Sequence, residues 1–421
     1  MIARSSWQQC DECANELDEL DRASHCPLCG GLLAVRHATS TSREALASNR
    51  SPSGVWRFGD IVLPTAVDVA VSWPEGNTPL LSRPALDAWC GVDGLHVKHE
   101  GMNPTGSFKD RGMTVAITQA KRIGARAVAC ASTGNTSASL AAYAAHAGLP
   151  ALTLVPNGQV ATGKLAQTLG YGAHTLLVDG DFDACLRLMQ QASAELGVYL
   201  LNSINPFRLE GQKTIVFELL QQLEWQAPDW IVLPAGNLGN TAAFGKAIEE
   251  ALFHGLIDRR PRLAAIQAAG AAPFATAYAN DFPRMVPVHA ETLATAIKIG
   301  APASYGRAVR AIRSTNGVVA TVTDAEIIEA KVTIDRAGVG CEPASAASVA
   351  GIRKLRANGT IRPGDRVVAV LTGHLLKDSG VLQQIHQSTS IAPALANPPI
   401  RIAADIRAIA TLLDSMKSAG N

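Results

Sequence analysis

The chain is poor in charge, in aromatic side chains and in long apolar runs, and each shortage removes a class of function. Only 17% of its 421 residues are charged and the formal net charge is +1, which leaves no electrostatic case for nucleic acid or an anionic membrane surface as a partner. No apolar run approaches the roughly 18 residues of a membrane span. The N-terminus does not read as a signal peptide, because charges and Cys10 arrive before an apolar core can form; a cytoplasmic protein is expected. There is no G-x-G-x-x-G spacing, so no dinucleotide fingerprint, and neither an internal repeat nor a low-complexity tract. Aromatic residues make up 5% while Gly alone numbers 36, a composition suited to helices packed closely on a sheet.

What is present falls first at the N-terminus. Of eight cysteines, four form a paired CxxC, Cys10 with Cys13 and Cys26 with Cys29, while Cys90, Cys130, Cys185 and Cys341 are scattered among apolar neighbours. The first set has the spacing of a zinc ribbon, in which two knuckles each present two thiolates to one structural ion. The scattered set reads as small buried apolar residues.

Beyond the ribbon, residues 38–54 are rich in Ser, Thr and Arg, without periodicity, and read as a linker. From about residue 95 strands and helices alternate, which predicts parallel sheets covered by helices. The expected order is a ribbon-like segment at 1–37, a linker and the start of a large domain at 38–100, a small α/β domain at 101–205, a large α/β domain at 206–390 and a helical tail at 391–421. Residues 270–310, rich in Ala, Pro and Gly, read as irregular. Thr323 and Glu326 form a capping box before a helix to about Arg336. Ligand groups are expected where the strands end, in a cleft between the two α/β domains.

The stretch Asn103 to Gly112 places one lysine at the entrance of a helix. Pro104 and Gly106 break regular structure, whereas Met113, Ala116, Ile117, Ala120 and Ile123 recur at helical spacing. An amine at the positive end of a helix has its pKa lowered, and a neutral amine is what Schiff-base chemistry requires. Gly236-Asn237-Leu238-Gly239-Asn240 follows a strand and precedes a helix, so its N–H groups can converge on a phosphate. Ser132-Thr133-Gly134-Asn135-Thr136-Ser137 has the same placement in the other domain.

A lysine, a phosphate cradle and a polar strand end at Thr372 are the parts a pyridoxal phosphate site needs. At this point the chain resembles the threonine synthases, within the tryptophan-synthase β-like group of fold type II pyridoxal phosphate enzymes. The resemblance covers roughly residues 75–380. It is carried by 103–112, 132–139, 202–214, 236–240, 295–300, Cys341-Glu342-Pro343-Ala344-Ser345-Ala346 and Thr372-Gly373-His374. It implies that Lys109 forms the Schiff base, Asn135 bonds the cofactor's phenolic oxygen, Gly236, Asn237, Leu238, Gly239 and Asn240 hold its phosphate, and Thr372 meets the ring nitrogen. It further implies a small phosphorylated amino acid as substrate, O-phospho-L-homoserine, bound by Ser132, Thr133, Thr136, Asn202, Ser203 and Arg208, and a homodimer. The bland alternative for Arg208 is an ion pair with Glu210 or Glu218. A cysteate synthase-like use of O-phosphoserine and sulfite would keep the same cofactor site. Leu375 departs from the family, which has glycine there.

Overall fold

The computed structural model describes residues 5–158, 162–180, 182–387 and 389–419; the outermost residues of the first and last expected segments lie outside this range. The chain up to Asp378 forms one compact unit and Ser379–Asn421 a second, in which the helix Ile406–Ala419 is the longest element. No helix among the described residues is long and apolar enough to cross a membrane.

Three sheets organise the first unit. Strands β1 (Ser6–Cys10), β2 (Glu16–Asp18) and β3 (Leu33–His37) make an antiparallel sheet in the order β2-β1-β3. Next come β4 (Leu80–Ser82), β5 (His96–His99), β6 (Ala127–Ala131), β7 (Ala151–Pro156), β8 (His174–Val178), β9 (Val198–Leu200), β10 (Trp230–Pro234), β11 (Arg262–Ala268), β12 (Val318–Val322) and β13 (Val367–Leu371). Four of these form a wholly parallel sheet, β8-β7-β6-β9, and six form a second sheet, β12-β11-β10-β13-β5-β4, in which only β4 runs antiparallel. The central strands are short apolar runs with both faces covered, as parallel sheets require; β10 and β13 are buried at every position, whereas the edge strand β8 is largely exposed.

Two helices run through the middle. In Pro206–Gln222 every residue to Leu220 is buried, and in Lys109–Arg122 every residue from Asp110 to Ala120. They cross where Gly112 faces Gly211: a Cβ on Gly112 would stand 2.8 Å from the Arg208 carbonyl oxygen. Arg111, beside this crossing, is paired through Nε with Glu100 at 2.7 Å and through Nη2 with Glu218 at 2.8 Å, and Lys98 reaches Glu218 at 2.6 Å. Buried charges persist when each is paired and hydrogen-bonded. Here they also anchor the turn that precedes Lys109, because Asn103 Nδ2 donates to the same Glu100 at 2.9 Å.

The structure differs from the sequence reading in two places. The linker holds a short helix, Arg43–Ser48, capped by Ser42, whose Oγ accepts from Ala45 N at 3.2 Å. The stretch 270–310 is not irregular throughout: Pro273–Ala279 and Tyr305–Ser314 are helices. The second buries Ala308, Ala311 and Ile312 on one face, a pattern that the Gly- and Pro-rich residues before it obscure.

Candidate active site

Five strand ends supply the site. β5 leads to Lys109, β6 to Ser132–Thr136, β9 to Asn202 and Ser203, β10 to the glycine turn and β13 to Thr372, so every expected residue follows the carboxyl end of a parallel strand.

Lys109 is the first residue of its helix. Its Nζ lies 4.2 Å from the centre of the Phe108 ring, and among the described residues no hydrogen bond or ion pair holds it. Removal from water, and then the Arg208 charge, push this amine down to about 7, against the pull of Glu342. The helix start is fixed by Asp110, whose carboxylate accepts from Thr105 N at 2.7 Å, Thr105 Oγ1 at 2.6 Å and Ser139 Oγ at 2.6 Å.

The glycine turn opens the helix Gly239–Phe253, with Leu238 in the left-handed region at φ +63°. Strain of that kind in a non-glycine residue gathers at ligand sites. Gly236 is needed for closeness: a Cβ there would stand 3.0 Å from Ile297 Cα. Asn237 holds the turn in place, accepting at Oδ1 from Ala303 N at 2.6 Å and donating from Nδ2 to Ser203 Oγ. The first N–H groups of a helix lack intrahelical partners, and three buried side-chain atoms beside them, Asn240 Oδ1, Thr241 Oγ1 and Ser304 Oγ, have no hydrogen-bond partner among the described residues either. Buried polar atoms are rarely left unpaired. Two of these are hydroxyls able to donate to a phosphate, so the cradle fits the phosphate group of pyridoxal phosphate.

Arg208 is 1% exposed and belongs to neither expected ion pair. Glu210 is taken by Lys213 at 2.5 Å, by Lys246 and by His37, and Glu218 by Arg111, Lys98 and Arg57. Arg208 Nη1 donates to Leu201 O at 3.0 Å, whereas Nε and Nη2 are buried without partners among the described residues. Burial lowers its pKa to about 10, so the guanidinium stays charged at neutral pH with one edge of its fork free for an anion. Beside it Asn202 Oδ1 accepts from Ala131 N at 3.2 Å. Ser132 Oγ accepts from Gly134 N at 3.3 Å, and Thr133 and Thr136 stand half-buried with hydroxyls that have no protein partner among the described residues.

Asn135 opens the helix Asn135–Ala147 and donates from Nδ2 to Glu342 Oε2 at 2.9 Å. Thr372 Oγ1 lies 3.0 Å from Ser345 Oγ, which also accepts from Gly373 N at 3.0 Å. Glu342 and Ser345 are therefore site residues to which the sequence reading assigned no role, although it quoted the motif containing them. Burial raises the Glu342 carboxyl above its ordinary range, with Asn135 and the Lys377 and Lys109 charges opposing. Lys377 bonds Gln167 Oε1. Leu375, in place of the expected glycine, lies against Gly340, where a Cβ would stand 3.3 Å from it. Lys298 is paired with Glu291 at 2.9 Å on the surface.

The four ribbon cysteines are gathered separately, with their sulfur atoms within 4.8 Å of one another. Cys10 and Cys29 are 3.4 Å apart and Cys13 and Cys26 3.6 Å, near the roughly 3.8 Å edge of a tetrahedral site with Zn–S bonds of about 2.3 Å. All are free thiols.

Known proteins resemble this chain in sequence and in fold. A family described as pyridoxal-phosphate dependent enzymes matches residues 71–373. The chain is 42% identical to a threonine synthase of Methanocaldococcus jannaschii over 97% of this chain and 100% of that one. It is 52% identical to a threonine synthase of Synechocystis over 72% of this chain and 78% of that one. In fold it matches the crystal structure of threonine synthase from Escherichia coli with a TM-score of 0.72, at 20% identity, over 97% of this chain and 100% of that one.

Proposed function

The chain belongs to the threonine synthase family of pyridoxal-phosphate dependent enzymes, and on that footing we propose that it converts O-phospho-L-homoserine and water to L-threonine and phosphate. The observation that carries the substrate is Arg208, a buried guanidinium whose Nε and Nη2 have no partner among the described residues and whose charge acts on Lys109.

Pyridoxal phosphate, when bound, supplies an aldehyde for amines and a ring that withdraws electrons from the substrate carbons. Lys109 would hold it covalently, the 236–240 turn with Thr241 and Ser304 would receive its phosphate, and Asn135 would bond its phenolic oxygen. Thr372, with Ser345 beside it at 3.0 Å, would offer the ring nitrogen a neutral hydroxyl, which would favour elimination and replacement over transamination. An amine with a pKa near 7 both accepts and returns protons at neutral pH. Lys109 takes the proton from substrate Cα, gives it up, and is then free to take one from Cβ. Arg208, with Asn202 and Ser203, binds the phosphate ester and receives phosphate as it leaves Cγ; one proton returns to Cγ, the hydroxyl of water adds at Cβ, and a proton returns to Cα. Ser132, Thr133 and Thr136, at a helix N-terminus, hold the substrate carboxylate.

Cys10, Cys13, Cys26 and Cys29 hold a structural zinc ion in this reading. A cytoplasmic setting and a homodimer follow the family. The test is phosphate release from O-phospho-L-homoserine and from O-phosphoserine with sulfite. Release from the first with formation of threonine supports the reading; release from the second alone makes the enzyme a cysteate synthase.

A further inference from the structure

None of the ribbon's residues enters the site, yet the ribbon grips three helices that open onto it. His37, at the end of β3, presents Nε2 to Glu210 Oε2 at 2.9 Å and Nδ1 to Ser6 Oγ at 2.8 Å. Glu210 stands two residues beyond Arg208 on the helix Pro206–Gln222. Asp11, between the ligand cysteines Cys10 and Cys13, binds Arg307 and, at 3.2 Å, Arg310. These lie on the helix Tyr305–Ser314, and Ala303 and Ser304 just before it hold Asn237 of the glycine turn through their N–H groups at 2.6 and 3.4 Å. Glu19 pairs with Arg122, at the far end of the helix that starts at Lys109, at 2.5 Å.

We propose that the ribbon is a positioning element for the two phosphate sites. His37 through Glu210 sets where Arg208 sits, and Asp11 through Arg307 sets where the glycine turn sits. The inference rests on the reading of Arg208 as a substrate phosphate ligand.

The physical case is the kind of contact used. The His37 and Glu210 side chains are 6% and 1% exposed; burial lowers the His37 pKa, so its neutral ring gives one directional hydrogen bond to a carboxylate whose charge Lys213 and Lys246 balance. The substrate spans both sites, one end on the cofactor and the other on Arg208, so their separation matters; a misplacement of about 1 Å can cost on the order of 10²-fold in rate. The Asn237 amide on Ser203 Oγ joins the two sites directly, and the ribbon sets the same spacing from behind.

The experiment uses the full-length holoenzyme and its His37→Ala, His37→Gln and Asp11→Asn variants. It reads zinc per chain, the visible absorbance of the bound cofactor, the Kd for inorganic phosphate, and KM and kcat for O-phospho-L-homoserine. Expected for His37→Ala are retained zinc and absorbance, with phosphate Kd and KM raised about tenfold and kcat lowered as well. His37→Gln recovers most of the loss, because its amide N–H can also donate to Glu210. Asp11→Asn, and removal of zinc from the wild type by a chelator, weaken phosphate binding in the same direction. A His37→Ala protein with wild-type phosphate Kd, or one whose loss His37→Gln does not repair, overturns the proposal. If His37→Ala does not fold, the Asp11→Asn and chelation measurements decide in its place. A wild type that binds phosphate but does not turn over O-phospho-L-homoserine ends the substrate reading, while the phosphate Kd values still decide the ribbon's role.

Discussion

Gly211 lies so close to Arg111 that a methyl group on it would overlap the Arg111 carbonyl oxygen and stand 2.8 Å from Gly112 Cα. This contact brings the helix bearing Arg208 against the helix that starts at Lys109, so the guanidinium acts on the Lys109 amine. Gly211→Ala forces the pair apart. Overpacking costs typically about 1–3 kcal/mol, and a backbone clash belongs at the upper end. The expected result is a lower denaturant midpoint and a raised KM for the phosphorylated substrate; a variant with wild-type midpoint and KM would show that the crossing does not set the site.

Arg208 tests the substrate phosphate directly. Charge-assisted hydrogen bonds contribute about 1.5–3 kcal/mol, so Arg208→Ala should raise KM about 10- to 100-fold while the cofactor's visible absorbance persists. Arg208→Lys keeps the charge and loses the planar fork. It should recover only part of the affinity, and steady-state kinetics on both variants measures the difference.

Lys109→Ala removes both the covalent anchor and the base. Loss of a positioned general base alone costs about 10²–10⁴-fold, so turnover should become undetectable and the visible absorbance of the lysine-bound cofactor should vanish. A variant that keeps both would remove Lys109 from the mechanism.

The depressed amine carries a pH signature. Lys109 titrates near 7 in the fold, against an ordinary value of 10.5. Between those values the unfolded chain holds a proton that the folded chain has released, so this group makes stability of the cofactor-free protein rise with pH across that window. Its penalty is fully present below pH 7 and gone above 10.5. Urea unfolding of the cofactor-free protein at several pH values reads it. The rate of pyridoxal phosphate uptake should also climb with a midpoint near pH 7, and a midpoint near that of a free lysine would contradict the assignment.

Much of this enzyme is legible along the chain because the relevant signals are local. Pro104, Gly106 and the helical spacing after Lys109 place the lysine at a helix entrance; the apolar runs and their intervening turns announce the parallel strands; the two CxxC pairs announce the ribbon. The capping box at Thr323 and Glu326 is present as read. Partnership over long separations was decided only by the tertiary structure. Glu210 and Glu218 stood close to Arg208 in sequence, yet Lys213, Lys246 and His37 claim one and Arg111, Lys98 and Arg57 the other, which leaves Arg208 free for an anion. Glu342 meets Asn135, 207 residues away, and Asp11 meets Arg307, 296 away. No local pattern encodes such choices, because which cation reaches a buried carboxylate depends on how helices far apart in the chain pack, and that packing is a property of the whole core.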